Sequence, residues 1–256
     1  MLVADIDGTT VDHGSIGEEV TPEHPSLQSV QRAQIVGKIV TFATGRNYPK
    51  AESVIKAFGI QSPIIVNNGS QIVQPETGHP LWERRVDNKK ARSVYDFIVT
   101  SGLADDLMVG FGYLPEYKFD EVNEPVLEDI IYLDIIGIKS PAELDIVQNY
   151  ISTIDGITHS LAPSPQMPGR TNILVTDEGA TKYFALVQLQ RMLGISKQET
   201  ITIGDGDNDL PLFNGSGLKI AVDNASDKLK ANADIVVSSV HEHGLAQAID
   251  THLLVS

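Results

Sequence analysis

Leu2-Val3-Ala4-Asp5-Ile6-Asp7-Gly8-Thr9-Thr10 decides how the rest of the chain is read. A short apolar run leads into two carboxylates one residue apart, followed by Gly and Thr. Side chains two apart share one face of a strand, so a strand continuing through this point aims Asp5 and Asp7 the same way. Gly8 lets the backbone turn sharply. The expectation is two like charges side by side at the C-terminal end of a strand, where open α/β sheets bind ligands. Carboxylates crowded in this way are costly unless a cation offsets them or one takes a proton. Asp-Gly is also ordinary turn chemistry, so the pair alone reads more readily as a plain strand end, and the rest of the chain has to decide.

The 256 residues suit one large domain or two modest ones. Apolar residues at 41% and charged residues at 21% are those of a globular chain able to bury a core. The 34 acids against 19 bases give a net charge of −15, which argues against nucleic acid or an anionic membrane as the main partner. An anionic substrate then needs a local cationic site. With no cysteine there is no disulfide or thiolate chemistry. The first residues lack the basic and apolar regions of a signal peptide, and no apolar run is long enough to span a bilayer, so a cytoplasmic location is the expectation.

Working outward, Val11 to Glu19 is rich in Gly and acid and reads as a loop. Thr21-Pro22 offers a capping Thr with Pro at a first helical position, and a helix fits 26–36, ended by Gly37. Strands at 38–43 and 63–66 flank a helix over 49–58. The order β-α-β-α-β with short loops implies a parallel sheet with helices on its faces. The pattern changes after Asn67-Asn68-Gly69-Ser70. A hairpin is expected over 71–86, helices over 87–101 and 141–151, and strands over 107–113, 130–138 and 157–161, with an acidic, poorly periodic 115–128. Pro163 to Gly169 is the best linker or loop candidate. A strand at 171–175, a helix over 180–193, a strand at 200–203 running into Gly204-Asp205-Gly206-Asp207-Asn208-Asp209, and further α/β pattern to about 253 restore the first style. The reading is a core of 1–73 and 169–256 with a small α+β domain, 74–168, inserted into it.

Four polar clusters then fall at strand or helix ends of one sheet: Asp5/Asp7, Thr44, Lys182 and Asp205/Asp209. Asp5 to Thr9 as Asp-x-Asp-x-Thr, Thr41-Phe42-Ala43-Thr44-Gly45-Arg46, the Lys of Gly179-Ala180-Thr181-Lys182, and Gly204 to Asp209 come in the order of four motifs. In this order the chain resembles the haloacid dehalogenase-like superfamily. The insert, together with Asn67-Asn68-Gly69 and Ala221-Val222-Asp223-Asn224-Ala225, resembles the Cof-type phosphatases with their class IIB cap. The resemblance covers nearly the whole chain and implies a Rossmann-like parallel core with an inserted α+β cap.

By that resemblance Asp5 is the nucleophile that forms an aspartyl-phosphate, and Asp7 is the acid for the leaving alcohol and later the base for water. A magnesium ion would be held by Asp5, the backbone carbonyl of Asp7, and Asp205, with Asp209 supporting the site from behind. Asn208 would reach the phosphate, Thr44 and the amide of Gly45 would bind its oxygens, and Lys182 would supply the cation. Arg46 is either a phosphate or substrate contact or a surface salt bridge.

The residues also carry plainer readings. Asp205 to Asp209 fits a calcium loop poorly, because Leu210 and Ser216 stand where such a loop wants Gly and Glu. His13, His241 and His243 lie in polar loops and are read as solvated. Neither a P-loop nor a Gly-x-Ser-x-Gly elbow is present. Thr10 stands where the family commonly has Leu, the loop 11–25 is long and acidic, and the cap shows few recognisable substrate contacts, with Tyr113, Tyr117 and Arg170 as candidates. The expectation is a magnesium-dependent phosphatase of a small phosphorylated metabolite, a sugar phosphate foremost. A phosphomutase on the same residues is the near alternative, and a non-catalytic metal-dependent binder the distant one. Substrate and oligomeric state are left open.

Overall fold

The computed structural model describes residues 1–110, 117–118, 130–164 and 166–255. The opening apolar run forms β1 (Leu2–Ala4). Helix α1 (Pro25–Ile35) follows the acidic loop. It starts at the second proline rather than at Thr21-Pro22. The ring of Pro25 disfavours helical backbone at His24, and His24 N–H closes a turn onto Thr21 O at 2.9 Å instead. Next come β2 (Val40–Phe42), α2 (Tyr48–Ala57) and β3 (Ile64–Val66). The side chain of Asn47 caps α2 by accepting from Lys50 N–H at 3.1 Å. Strands β4 (Gln71–Val73) and β5 (Pro80–Glu83) extend β3 into a small three-stranded sheet.

The chain then enters a second compact unit, Glu83–Ala180. It contains α3 (Asn88–Thr100), β6 (Met108–Gly110), β7 (Tyr117–Lys118), β8 (Leu133–Ile138), α4 (Pro141–Ile151), β9 (Ile157–Pro163) and β10 (Thr171–Asp177). Its strands run β7-β6-β8-β10-β9, and each pairing described is antiparallel. Val94 and Ile98 of α3 and Val147 and Ile151 of α4 bury against Leu133, Ile135, Ile173 and Val175. On either side of the proline-rich stretch β9 and β10 pair as a hairpin: Ser164 N–H bonds Arg170 O at 2.9 Å, and Pro163 pairs with Thr171. Tyr113 lies outside the described residues, and so does most of the acidic segment 115–128.

The chain returns to the first unit, Met1–Trp82 with Thr181–Ser256. It adds α5 (Lys182–Leu193), β11 (Ile201–Gly204), α6 (Leu210–Asn214), β12 (Leu218–Val222), α7 (Asp227–Lys230), β13 (Ile235–Val237) and α8 (Gly244–Ala248). Thr181 caps α5, and Gly194 ends it in the left-handed conformation. The main sheet is parallel throughout, in the order β13-β12-β11-β1-β2, with β3 touching it through one bridge between Ala43 and Ile65.

Alternate residues of β1 serve both faces. Leu2 and Ala4 pack with α1, α2 and α8, while Val3 packs with Ala185, Leu186 and Leu189 of α5 and Leu212 of α6. A strand buried on both sides reads as a continuous apolar run, as this one does. The chain winds to one side of β1 through β2 and to the other through β11, so β1 is the point where the strand order reverses. Ligands bind beyond the carboxyl ends of the strands at such a point. That is where Asp5 stands.

Candidate active site

β1 ends at Ala4, but Asp5 N–H still pairs with Ile203 O at 3.0 Å. The Asp5 carboxylate, 4% exposed, is therefore held at the strand end. Past Ile6 the chain curls back. Gly8 has φ +72, and the amides of Thr10 and Val11 both bond Ile6 O at 3.0 Å. The two carboxylates take different partners, and the strand does not continue through Asp7.

Asp5 Oδ1 accepts from Lys182 Nζ at 2.6 Å, and the same ammonium donates to Asp209 Oδ1 at 2.7 Å. Lys182 is 2% exposed, at the first residue of α5. A cation is unfavourable at a helix N-terminus, so the two acids are what hold it there. One carboxyl oxygen from each of Asp5, Asp205 and Asp209 lies within 4.8 Å of the other two. Asp209 is fully buried, and its Oδ2 accepts from the amides of Asp205 and Gly206 at 3.1 and 3.2 Å. Asp205 accepts from Thr9 Oγ1 at 3.1 Å.

Two buried acids share one ammonium, and the half-buried Asp205 lies beside them without a bond to it. Burial, first, and then the neighbouring acids push Asp5 well above the usual carboxylate range, against the pull of Lys182. Burial and Asp209 likewise push Asp205 up. Burial pulls Lys182 down, but Asp209 and Asp5 outweigh it and keep the ammonium charged. The cluster carries more negative charge than its own cation answers. Its oxygen-only donor set is what a hard divalent ion takes, so the residues fit a metal of that kind.

Asp7 stands apart. Arg46 clamps it with Nη2 to Oδ1 at 2.6 Å and Nε to Oδ2 at 2.8 Å, and Gly14 N–H adds a bond to Oδ1 at 3.0 Å. Burial alone raises this carboxyl, but the bonds from Arg46 and Gly14 prevail and hold it below its ordinary value. Arg46 is thus not a surface salt bridge: its side chain is 10% exposed and engaged with Asp7. Thr44, at the end of β2, is fully buried, with its amide on Ile65 O and its hydroxyl oxygen accepting from Arg46 N–H at 3.0 Å. Gly45 is exposed beside it, and a Cβ there would lie 3.1 Å from Asn68 Oδ1. Asn208 is exposed, its side chain folded over Gly206. Within the second unit, Arg170 donates to the carbonyls of Asp106 and Gly137 at 3.4 and 3.3 Å. The backbone of Tyr117 forms β7.

Several supports were not assigned from the sequence. Gly69, at φ +100, presses onto the first turn of α5, where an added Cβ would lie 2.2 Å from the Thr181 carbonyl carbon. No other residue type allows that approach, and the approach sets where Lys182 begins. Asn224 donates to Gly8 O at 2.7 Å and accepts from Val240 N–H at 2.8 Å, tying the β12 loop to the Asp5–Gly8 turn. His13 is mostly exposed, as expected, but its Nε2 comes within 3.5 Å of Asp205 Oδ2. His243 is not simply solvated: its ring meets His24 edge-on at 4.9 Å, and the Nδ1 of each is buried.

The profile of the haloacid dehalogenase-like hydrolases matches residues 2–249. A 5-amino-6-(5-phospho-D-ribitylamino)uracil phosphatase of Bacillus subtilis is 24% identical, over 97% of this chain and 96% of that one. A phosphoglycolate phosphatase of Nitrosopumilus maritimus is 26% identical, over 97% and 94%. The solved structure of a subclass IIB sugar phosphatase superimposes with a TM-score of 0.75 at 21% identity, over 100% of this chain and 98% of that one. Sheet order, strand-end acids and family profile agree, and the chain belongs to the haloacid dehalogenase-like hydrolases.

Proposed function

We propose that this hydrolase is a magnesium-dependent phosphatase of small phosphorylated metabolites that works through a phosphorylated Asp5. The observation that carries the reading is the buried bridge of Lys182 between Asp5 and Asp209, with Asp205 in the same cluster. A structural ion pair needs one acid per base. A surplus of carboxylates at a ligand-binding strand end is suited to bringing a cation and a phosphate together.

Asp5 and Asp205, with the backbone carbonyl of Asp7, would hold the metal, and Asp209 would fix the loop that carries Asp205. A divalent ion bound there supplies positive charge against the phosphoryl oxygens. Lys182, the hydroxyl of Thr44 and the amide of Gly45 add hydrogen-bond donors for the same oxygens, and Asn208 is a further candidate. An Asp5 oxygen attacks phosphorus as the bond from phosphorus to the leaving oxygen breaks, and the leaving oxygen takes a proton from Asp7, which enters this step as the neutral acid. Water then gives a proton to Asp7 and attacks phosphorus. The bond to Asp5 breaks, and inorganic phosphate leaves.

The relatives' names speak for small organic phosphates, one of them a sugar phosphatase. We assign the choice among such substrates to the inserted unit. Phosphate release across a panel of phosphorylated metabolites, with magnesium and after chelation, tests the activity. Exchange of the inserted unit for a relative's tests the assignment: an unchanged substrate profile would refute it. Among the described residues no helix is long and apolar enough to cross a membrane.

A further inference from the structure

The role given to Asp7 conflicts with where its carboxylate is held. To serve the leaving group, one Asp7 oxygen has to meet the ester oxygen of the substrate. Both already accept, Oδ1 from Arg46 Nη2 and Gly14 N–H and Oδ2 from Arg46 Nε, so one acceptor position is left, on Oδ2, and the closed fork fixes where it points. The fork is bidentate and largely screened from water, the strongest form of this pair. The Arg46 backbone is fixed, because its N–H bonds Thr44 Oγ1 and its carbonyl accepts from Asn67 N–H at 2.8 Å. Only the side chain has freedom, and it stems from the loop that carries Thr44 and Gly45. Its remaining contact, Nη1 to Lys50 O at 3.2 Å, is exposed. A phosphate group is the other anion whose geometry matches a guanidinium fork, and in the phosphatase reading it arrives at that loop.

We infer that Arg46 is an exchangeable clasp: it holds Asp7 before substrate binds, passes to the phosphate when substrate arrives, and so frees Asp7 for the leaving-group oxygen. This deepens the phosphatase reading and rests on it. The clasp keeps the acid/base carboxylate from wandering in the empty site and ties its release to the arrival of an anion. Arg46 is accordingly a positioning residue for Asp7 in one state and a phosphate ligand in the other.

Crystal structures of the whole chain with magnesium, without and with orthovanadate, read the exchange directly. The expected result is a fork closed on Asp7 without the anion and turned onto vanadate with it. A fork still closed beside bound vanadate overturns the clasp, and failure of vanadate to bind at the Thr44 loop counts against it equally. Arg46→Gln gives an independent reading in solution. Loss of charge-assisted bonds to phosphate is expected to raise KM about 10- to 100-fold for a nitrophenyl ester and an alkyl ester alike. Unchanged KM for both, with kcat lost for the alkyl ester alone, means that Arg46 never leaves Asp7 and overturns the inference. Phosphate release by the unaltered protein reports on the phosphatase reading by itself, so the two can fail separately.

Discussion

Replacing Lys182 with methionine keeps most of the side-chain length and removes the charge. The ammonium is almost completely buried and bonds Asp5 and Asp209 at 2.6 and 2.7 Å. Removing one partner from a buried ion pair costs about 3–5 kcal/mol, because the remaining charge is left unanswered. The carboxylates can limit that cost by taking up a proton. For Asp5, with an ordinary value of 3.8, protonation near pH 7 costs about 4 kcal/mol at about 1.4 kcal/mol per pH unit, which agrees with the first figure. The sign of the pH dependence follows. A carboxyl raised in the folded state contributes stability at acid pH and loses it as pH rises through the folded value. Lys182 pulls Asp5 down, so its loss extends this penalty. We therefore expect Lys182→Met, with metal chelated, to lose about 3–5 kcal/mol near pH 7 in urea unfolding. The deficit should shrink by about 1.4 kcal/mol per pH unit for each proton taken up as pH falls. A deficit below about 1 kcal/mol near pH 7, or one that grows toward acid, would refute the account of the cluster.

Gly69→Ala sets a Cβ against the Thr181 backbone at a positive φ; it should cost about 2–4 kcal/mol and reduce turnover by displacing Lys182, read by thermal unfolding and steady-state kinetics. His24 is held below its ordinary 6.5 by burial first and His243 second, against Glu19, so its stabilising contribution is present above that value and is lost as pH falls through the lower folded one. His24→Phe should therefore flatten the stability profile on the acid side, and an unchanged profile would show that His24 does not titrate with folding. Hydrolysis should need magnesium, with calcium a poor substitute because its looser coordination misplaces Asp5; full activity after exhaustive chelation would contradict the metal role. Asp205→Ala should weaken magnesium binding in calorimetry while leaving the unfolding transition cooperative.

The parallel core was legible because its strands are short apolar runs that end in polar residues, as Val40–Phe42 ends at Thr44 and Ile201–Gly204 at Asp205. Asp5, Lys182 and Asp205 stood out for the same reason: each sits where an element begins or ends. Periodicity says nothing of which acid a buried base will choose. Lys182 reaches Asp5 across 177 positions of sequence, and Arg46 reaches Asp7 across 39. The strand rule failed at Asp7 because Gly8 and the Ile6 carbonyl curl the chain before the pleat can continue. Gly69 looked like one more turn glycine, since the backbone it must pass belongs to a helix far along the chain. The proline-rich stretch read as a linker or a loop because prolines mark both, and only the β9–β10 pairing selects the loop.

The central claim is that phosphate is carried on Asp5 and that Asp7 serves the proton steps. Rapid-quench kinetics of Asp7→Asn with nitrophenyl phosphate tests it most directly, because that leaving group needs no proton. The account predicts a fast burst of about one nitrophenolate per chain, slow turnover afterwards, and phosphate recovered on the peptide containing Asp5. A burst that persists in Asp5→Asn, or phosphate recovered on any other residue, would contradict it.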